Sequence, residues 1–299
     1  MASKHYKKLQ TGHFEDQNPF LLLRTSLDIL IQNPILLFPS SILVFIQLFI
    51  IEILYFAPQY PLSHFFAPLI RQIWSEEYLH YPLNLVLLPK MFYYAQVFIY
   101  LFLGSFLLAI TTRIISILND HPRVNLRDVI KGDWGKYVHI LAASLISFVL
   151  FHFFAKGYVF LLDAFIKQNP MGQSAFFWNR MLLWTIPYGQ FLVGILSTVI
   201  TVYLIPIIII DKTTFYKALL RNFKVLMRAF PLTFLFVATP TMLYLPLLTV
   251  RNNISMLMNA VGPEIQIAVI VVSLLISMAI DLLIVTSSTV FYLYLRENS

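Results

Sequence analysis

The chain contains no cysteine, and few of its residues are charged. The missing cysteine excludes disulfide bonds, thiolate catalysis and thiolate metal sites. Charged residues make up 12% of the 299 positions, against roughly 25% in soluble domains. Glycine is also scarce, with 9 residues, and no glycine-rich phosphate loop is present. The composition therefore argues against a soluble domain.

Apolar residues account for 59% of the chain. Several apolar runs exceed the roughly 20 residues that a helix needs to cross a bilayer. The 27 Phe and 16 Tyr residues fit rings that anchor helices at membrane interfaces. The sequence predicts an all-α integral membrane protein, with one domain over residues 18–299 and six spans at about residues 35–57, 91–118, 137–162, 181–210, 231–250 and 265–292.

The distribution of basic residues predicts the orientation in the membrane. Most of the 21 Lys and Arg residues lie in the tail at residues 1–17, in the links 119–136 and 211–230, and at the C-terminus. Basic residues gather on the cytoplasmic side, so both termini are expected in the cytoplasm and the tail is a polar cytoplasmic segment. The tail also lacks the apolar core of a cleavable signal peptide. The net charge of +7 then reflects this bias, and nucleic acid is not an expected partner.

The most informative stretch begins at Thr213 and leads into the fifth span. Its basic residues recur at helical spacing, so one face of a helix carries Lys217, Arg221, Lys224 and Arg228. Apolar side chains cover the other sides. A helix with a basic and an apolar face is suited to the headgroup layer of an anionic leaflet. Pro231 is then expected to turn the chain into the bilayer.

Two further segments share this arrangement and suggest a threefold internal repeat. Residues 20–32 precede the first span, 125–134 the third and 215–228 the fifth. Asn18-Pro19 is a favourable start for the first segment, because Asn caps a helix and Pro suits its first position. In that segment Leu23, Leu27, Leu30 and Ile31 are expected on one side and Arg24 and Asp28 on the other. If the repeat is real, three helical hairpins, each preceded by a cytoplasmic amphipathic helix, pack around a pseudo-axis. The alternative is that any six-span protein has amphipathic links.

The sixth span carries a line of polar residues at helical spacing around a single acid. The line consists of Gln266, Ser273, Ser277, Asp281 and Ser288. A charge at this depth is costly and usually faces the interior of a bundle. The line predicts an intramembrane polar path for an ion or substrate. The alternative is hydrogen bonding between helices at an interface of small residues.

A second set of intramembrane polar residues lies on the first and third spans. Glu52 and Lys156 fall at similar distances from the starts of their spans, which predicts an ion pair near the outer end. His152 precedes Lys156 by one helical turn and is expected to join the pair. The alternative is that each charge reaches the outer interface separately.

Motifs of the common enzyme classes are missing. The chain has no HExxH helix, no GxSxG elbow and no P-loop, and its histidines are scattered. The sequence thus predicts neither catalytic residues nor a metal site or cofactor. The fourth span is expected to be interrupted at residues 187–190 and again at Pro206, because proline removes a backbone hydrogen bond.

The chain resembles a group of bacterial integral membrane proteins that includes the YciC-like family and the membrane domain of some glycerophosphodiester phosphodiesterases. The resemblance lies in LIQNPILLFP at residues 30–39, in Ile205-Pro206 and in KALLRN at residues 217–222. It implies a six-span protein of the inner membrane and transfers no catalytic residue.

The expected function is therefore non-enzymatic. The basic segments favour a lipid-handling, scaffold or accessory subunit of the cell envelope, with anionic headgroups on the cytoplasmic side as partners. A protein partner or a second copy is a further expected partner. The alternative is a small permease or channel with Asp281 in its path.

Overall fold

A computed structural model describes residues 18–120, 124, 129, 134–168 and 173–297. Within these ranges the chain is helical and contains no β-strand. Six helical stretches are long and apolar enough to cross a membrane, as predicted. They are Pro34–Phe56, Leu83–Asp120, Tyr137–Phe165, Thr185–Ile210, Phe215–Asn252 and Ile265–Glu297. The predicted tail lies outside the described residues, as does most of the second predicted amphipathic segment.

The helices are numbered here in chain order, and single turns of 3-10 or π helix are left unnumbered. The first six are α1 Pro19–Gln32, α2 Leu37–Phe56, α3 Ser63–Ile73, α4 Leu83–Ile99, α5 Ser105–Asp120 and α6 Tyr137–Gln168. The others are α7 Gln173–Thr201, α8 Leu204–Ile210, α9 Phe215–Thr241, α10 Leu245–Asn252, α11 Ile254–Val261 and α12 Ile265–Glu297. A π turn at Tyr100–Gly104 connects α4 to α5.

The start of α1 follows the predicted capping pattern. The side chain of Asn18 accepts a hydrogen bond of 3.0 Å from the backbone N–H of Phe20, and Pro19 is the first helical residue. Leu23 and Leu30 are buried, but Leu27 and Ile31 are 44% and 77% exposed. The predicted apolar side of α1 is therefore covered only in part.

Of the two interruptions predicted in the fourth span, the structure contains the one at Pro206. Helix α7 continues through residues 187–190, so the prediction there is wrong, and the helix is interrupted between Thr201 and Leu204. Pro206 has no N–H to donate to the carbonyl four residues earlier, so the helix is broken just before it. Gly189 serves close packing, because a side chain there would collide with the ring of Tyr158 on α6.

The second and fifth spans also differ in their bounds. Helix α4 begins at Leu83 rather than near Met91, and Pro89 lies within it. Helix α9 is kinked at Ala229, where φ is −129° and ψ is 24°. Pro231 cannot donate to the preceding turn, which explains a kink at this position and agrees with the predicted bend. We call residues 215–228, the part of α9 before the kink, the elbow helix.

Contacts between Cα atoms divide the chain into two compact units. Of the described residues, those before 34, those within 108–242 and those after 282 form the first unit, and residues 34–107 and 243–282 form the second. In the first unit the rings of Tyr203, Phe236 and Phe291 pack together at centroid distances of 6.3 to 6.4 Å. The hydroxyls of Ser26 and Ser287 are 2.9 Å apart and connect α1 to α12.

The core of the second unit is apolar and draws on three spans. Its buried members come from α2, α4 and the first half of α12, and they are Ile51, Leu54, Leu85, Leu88, Phe92, Ile270 and Leu274. The sequence predicts an external hairpin or interfacial segment at residues 58–90, before the second span. In the structure this segment contains α3 and a 3-10 turn at Glu76–Leu79, and its last part, from Leu83, already belongs to α4. On α3, Phe65, Leu69 and Ile73 are exposed at helical spacing.

Candidate functional site

A buried carboxylate at the end of α8 connects three helices of the first unit. The side chain of Asp211 is only 6% exposed. One of its oxygens is 2.7 Å from Nη1 of Arg221, and the other is 3.3 Å from Nε of Arg296. Tyr292 donates a short hydrogen bond to the same carboxylate. We call these four residues the Asp211 cluster.

The local sequence explains why this carboxylate needs cations. Asp211 follows the apolar run of α8, and its backbone N–H bonds to the carbonyl of Ile207. The C-terminal end of a helix carries partial negative charge, so an acid there is unfavourable by itself. Lys212 has a φ of 51°, which reverses the chain and brings α9 back past α8. Arg221 then reaches Asp211 and also lies 5.9 Å above the centre of the Tyr292 ring.

The elbow helix presents three different faces. The face toward the unit is buried and consists of Ala218, Asn222, Leu226 and the kink residue Ala229. Asn222 donates a hydrogen bond of 2.7 Å to the carbonyl of Ile200, which fixes the helix against α7. The second face is the predicted basic stripe, and all its members are exposed: Lys217, Arg221, Lys224 and Arg228. The third face is apolar and exposed, with Tyr216, Leu220, Phe223 and Met227 between 51% and 80% accessible.

Residues that the basic-charge pattern assigns to one side of the membrane meet in the first unit. Arg221 and Arg296 share Asp211, and the amide of Asn119 lies 3.4 Å from a carboxylate oxygen of Glu297. The ends of α5, α8 and α12 and the start of α9 therefore lie together. This arrangement agrees with the predicted grouping of these segments.

A polar cluster in the second unit surrounds Asp281. The hydroxyl of Tyr100 donates to Asp281 at 3.2 Å, and the two residues belong to the π turn and to α12. The amide of Gln47, on α2, lies beside the Tyr100 hydroxyl. Gln96 donates to Gln47 at 3.1 Å. Among the described residues, no Lys or Arg is within ion-pair distance of Asp281.

The remaining polar residues of α12 do not join Asp281. The hydroxyls of Ser273 and Ser288 bond to carbonyls of their own helix, those of Val269 and Val285. Gln266 is buried and lies 2.9 Å from the sulfur of Met258. Ser277 is half-buried. The structure therefore places Asp281 among groups from other helices and gives Ser273 and Ser288 local hydrogen bonds, while the predicted path itself stays a prediction.

The predicted ion pair involves residues of different units. Glu52 lies on α2 in the second unit and Lys156 on α6 in the first, and both are exposed. His152 has its Nδ1 atom 3.2 Å from the carbonyl of Phe148 and its ring against the rings of Phe148 and Phe151. His152 thus has the packing environment of a structural histidine. The pairing of Glu52 with Lys156 stays a prediction.

Sequence reasoning did not single out six residues of these two clusters: Asp211, Tyr292, Arg296, Tyr100, Gln47 and Gln96. Asp211 stands next to Lys212 at the end of an apolar run, where a solvated helix end is the ordinary interpretation. Gln96 and Tyr100 are one turn apart on a span, and that spacing was an available signal. Gln47 is 1% exposed and had no such signal.

The described residues contain no group of three or more His, Cys, Asp or Glu that could hold a metal ion. Comparison with known proteins finds no matching family model, no similar curated protein and no similar solved structure. The resemblance to YciC-like proteins therefore rests on the quoted residues alone.

Proposed function

We propose that this protein is a non-enzymatic, multi-pass protein of a bacterial inner membrane that binds anionic lipid headgroups on its cytoplasmic side. Its role would be that of a lipid-handling or scaffold subunit of the cell envelope. The observation that carries the proposal is the elbow helix, with its basic and apolar faces exposed and its buried face fixed to the first unit.

The two exposed faces fit a membrane interface better than water or the bilayer core. Tyr216, Leu220, Phe223 and Met227 would be poorly placed in water, and the four cations would be costly in hydrocarbon. A helix in the plane of the headgroups satisfies both faces, with apolar side chains toward the acyl chains and cations toward phosphate. The kink at Ala229 lets the same helix then turn into the bilayer.

The Asp211 cluster supports a binding role because it fixes the elbow helix before any lipid arrives. Arg221 is held by Asp211 and by the ring of Tyr292, so part of its charge is already compensated. The exposed cationic side chains of Lys217, Lys224 and Arg228 are available to bind an anionic ligand. Each basic residue near an anionic surface contributes about 1 kcal/mol, so these three should contribute about 3 kcal/mol.

Lipid selectivity of the full-length protein tests this proposal. Purified protein is titrated with equal amounts of phosphatidylglycerol and phosphatidylcholine, and bound lipids are counted by native mass spectrometry. We expect wild type to retain phosphatidylglycerol. The triple variant Lys217→Gln, Lys224→Gln, Arg228→Gln should lose that preference by roughly a hundredfold, the equivalent of about 3 kcal/mol.

A matched control removes the same charge elsewhere. Arg71→Gln, Lys90→Gln and Lys167→Gln alter exposed residues that the charge pattern assigns to the other side. This variant should keep the preference. Equal retention of both lipids by wild type, or an equal loss in the control, would contradict the proposal.

The second candidate function is a small permease or channel that uses Asp281. It is favoured by a specific observation, since an acid without a described cationic partner lies among Tyr100, Gln47 and Gln96 of neighbouring helices. The test is ion and solute flux in proteoliposomes that contain wild type or Asp281→Asn. Equal flux from both, at the level of empty liposomes, removes this candidate.

A further inference from the structure

Helix α2 exposes an apolar stripe with one acid in it. The stripe consists of Phe45, Phe49 and Phe56, which are 72%, 62% and 41% exposed, and it is interrupted by the exposed Glu52. The three rings stand seven and three positions before the acid and four positions after it. These spacings put all four side chains on one face of the helix. We call this set the Glu52 stripe.

Helix α6 exposes a stripe of the same pattern with the opposite charge. Val149, Phe153 and Phe160 are 52%, 70% and 72% exposed, and they stand at the same three spacings around the exposed Lys156. We call this set the Lys156 stripe. Only 11% of the most apolar window of this span is buried, against 33% to 50% in the other candidate spans. The Lys156 stripe is thus an uncovered face.

A charge within such a stripe is expensive if lipid is its only neighbour. A charged side chain costs about 2.5 to 3.5 kcal/mol at the centre of a span in insertion experiments, and the cost is smaller toward the outer end, where Glu52 and Lys156 lie. Lys156 is followed by more exposed apolar residues, Phe160 and Leu161, so its ammonium group is not at the end of the apolar stretch. Charged side chains within spans usually pair with one another, so an opposite charge at the same depth would offset part of this cost.

The two charges are at matching depth. At about 1.5 Å per helical residue, Glu52 lies about 27 Å beyond Pro34 and Lys156 about 29 Å beyond Tyr137. Both spans are predicted to start on the same side of the membrane. Each copy of the chain therefore offers one acidic and one basic stripe of equal spacing and depth.

We propose that the Glu52 stripe of one copy packs against the Lys156 stripe of a second copy, with Glu52 and Lys156 paired across the interface. The occupant is a second copy because both stripes are exposed in the single chain and each has the spacing and charge that the other lacks. Aromatic side chains on both stripes supply the packing contacts that hold helices together in lipid.

Cysteine crosslinking in membranes tests the interface, and the chain brings no thiol of its own. Phe49→Cys is placed on one tagged copy and Phe153→Cys on a second copy with a different tag, so that both charges stay intact. Oxidation of membranes that contain both should give a disulfide-linked pair carrying both tags. The control pairs Phe153→Cys with Phe98→Cys, which is 67% exposed on α4 and belongs to neither stripe.

Charge reversal makes the test specific to Glu52 and Lys156. Glu52→Lys in the Phe49→Cys copy should lower the crosslinked fraction about tenfold, the equivalent of about 1.4 kcal/mol. Lys156→Glu in the Phe153→Cys copy should then restore it. Unfolding in detergent must be the same for Glu52→Lys and wild type, so that a loss of crosslinking reports the interface.

Three results would overturn the proposal. One is a crosslinked fraction no higher than that of the Phe98→Cys control. Another is a disulfide that forms only within a single chain when one copy carries both cysteines, which would indicate pairing inside one molecule. The third is a double charge reversal that fails to restore the crosslink.

Discussion

Asp211 and Asp281 are two carboxylates with little contact with solvent, and their neighbours stabilise them in different ways. In the first unit, Asp211 is paired with the cations Arg221 and Arg296 and accepts a hydrogen bond from Tyr292. In the second unit, Asp281 accepts a hydrogen bond from Tyr100 and has no described cationic partner. One carboxylate is compensated by charge and the other by neutral donors.

This difference in partners predicts which substitutions Asp211 and Asp281 each tolerate. A residue paired with cations must keep its charge, because its loss leaves two arginines close together without a counterion. A residue held by a neutral donor needs only an acceptor atom. The two clusters should therefore respond differently to the same Asp to Asn change.

The largest effect is expected at Asp211. Asp211→Asn removes the negative charge from between Arg221 and Arg296, and breaking such a buried pair costs about 3 to 5 kcal/mol. Because both arginines are about half exposed, we expect a value near the lower end, about 3 kcal/mol. The measurement is the free energy of unfolding in mixed detergent micelles as SDS is added.

The control for this prediction is Asp163→Asn on α6. Asp163 has the same 2.7 Å distance to a cation, Lys167, but both side chains are exposed. Exposed pairs contribute about 0 to 1 kcal/mol, so this variant should be close to wild type. Equal losses from Asp211→Asn and Asp163→Asn would mean that the Asp211 cluster does not hold the three helix ends together.

A smaller effect is expected in the second unit, and it should fall on the tyrosine more than on the acid. Tyr100→Phe removes the donor to Asp281 and the hydroxyl beside the Gln47 amide, which should cost about 1 to 3 kcal/mol. Asp281→Asn keeps an acceptor oxygen for Tyr100 and removes a charge from within a membrane span, so it should cost less than about 1 kcal/mol.

The same unfolding measurement shows which of the two variants, Tyr100→Phe or Asp281→Asn, loses more stability. If Asp281→Asn is the more damaging, the carboxylate charge itself is required, and the permease candidate gains support. If both are neutral, the cluster around Tyr100 does not contribute to the packing of α2 and α12 against the π turn.

Features that depend on neighbouring residues were predictable from the sequence. The six membrane-competent helices follow from apolar runs, the start of α1 from Asn18-Pro19, and the exposed basic stripe from the spacing of Lys217 to Arg228. Each is decided within a few helical turns. The bend before Pro231 was predictable for the same reason, since one missing N–H is a local defect.

Features that depend on distant partners were not predictable. Asp211 and Tyr292 are 81 positions apart, and Tyr100 and Asp281 are 181 positions apart. A single sequence shows that Asp281 is an acid in an apolar run, but not which helix faces it. Asp211 was missed because its arginines are at ordinary positions for basic residues near a membrane surface.

A third carboxylate and tyrosine pair extends the comparison to the surface. Tyr81 donates a hydrogen bond of 3.0 Å to Glu264, and both residues are exposed parts of links in the second unit. This hydrogen bond raises the pKa of the Tyr81 hydroxyl above its ordinary value of about 10. Because both side chains are exposed, water can replace either partner, so this pair should contribute the least to the stability of the fold.

The smallest predicted effect is therefore that of Tyr81→Phe, and its pH dependence has a definite sign. A group whose pKa is raised in the folded state stabilises that state fully below its unfolded pKa, and the contribution is lost as the pH rises through the folded value. Wild type should be slightly more stable than Tyr81→Phe at pH 8, and the gap should close above about pH 10. SDS unfolding of both proteins between pH 8 and 11 measures it. If the difference in stability between wild type and Tyr81→Phe stays constant through pH 11, the protonated Tyr81 hydroxyl does not stabilise the fold. The expected decrease in stabilisation from buried to exposed carboxylates would then depend on Asp211 and Asp281 alone.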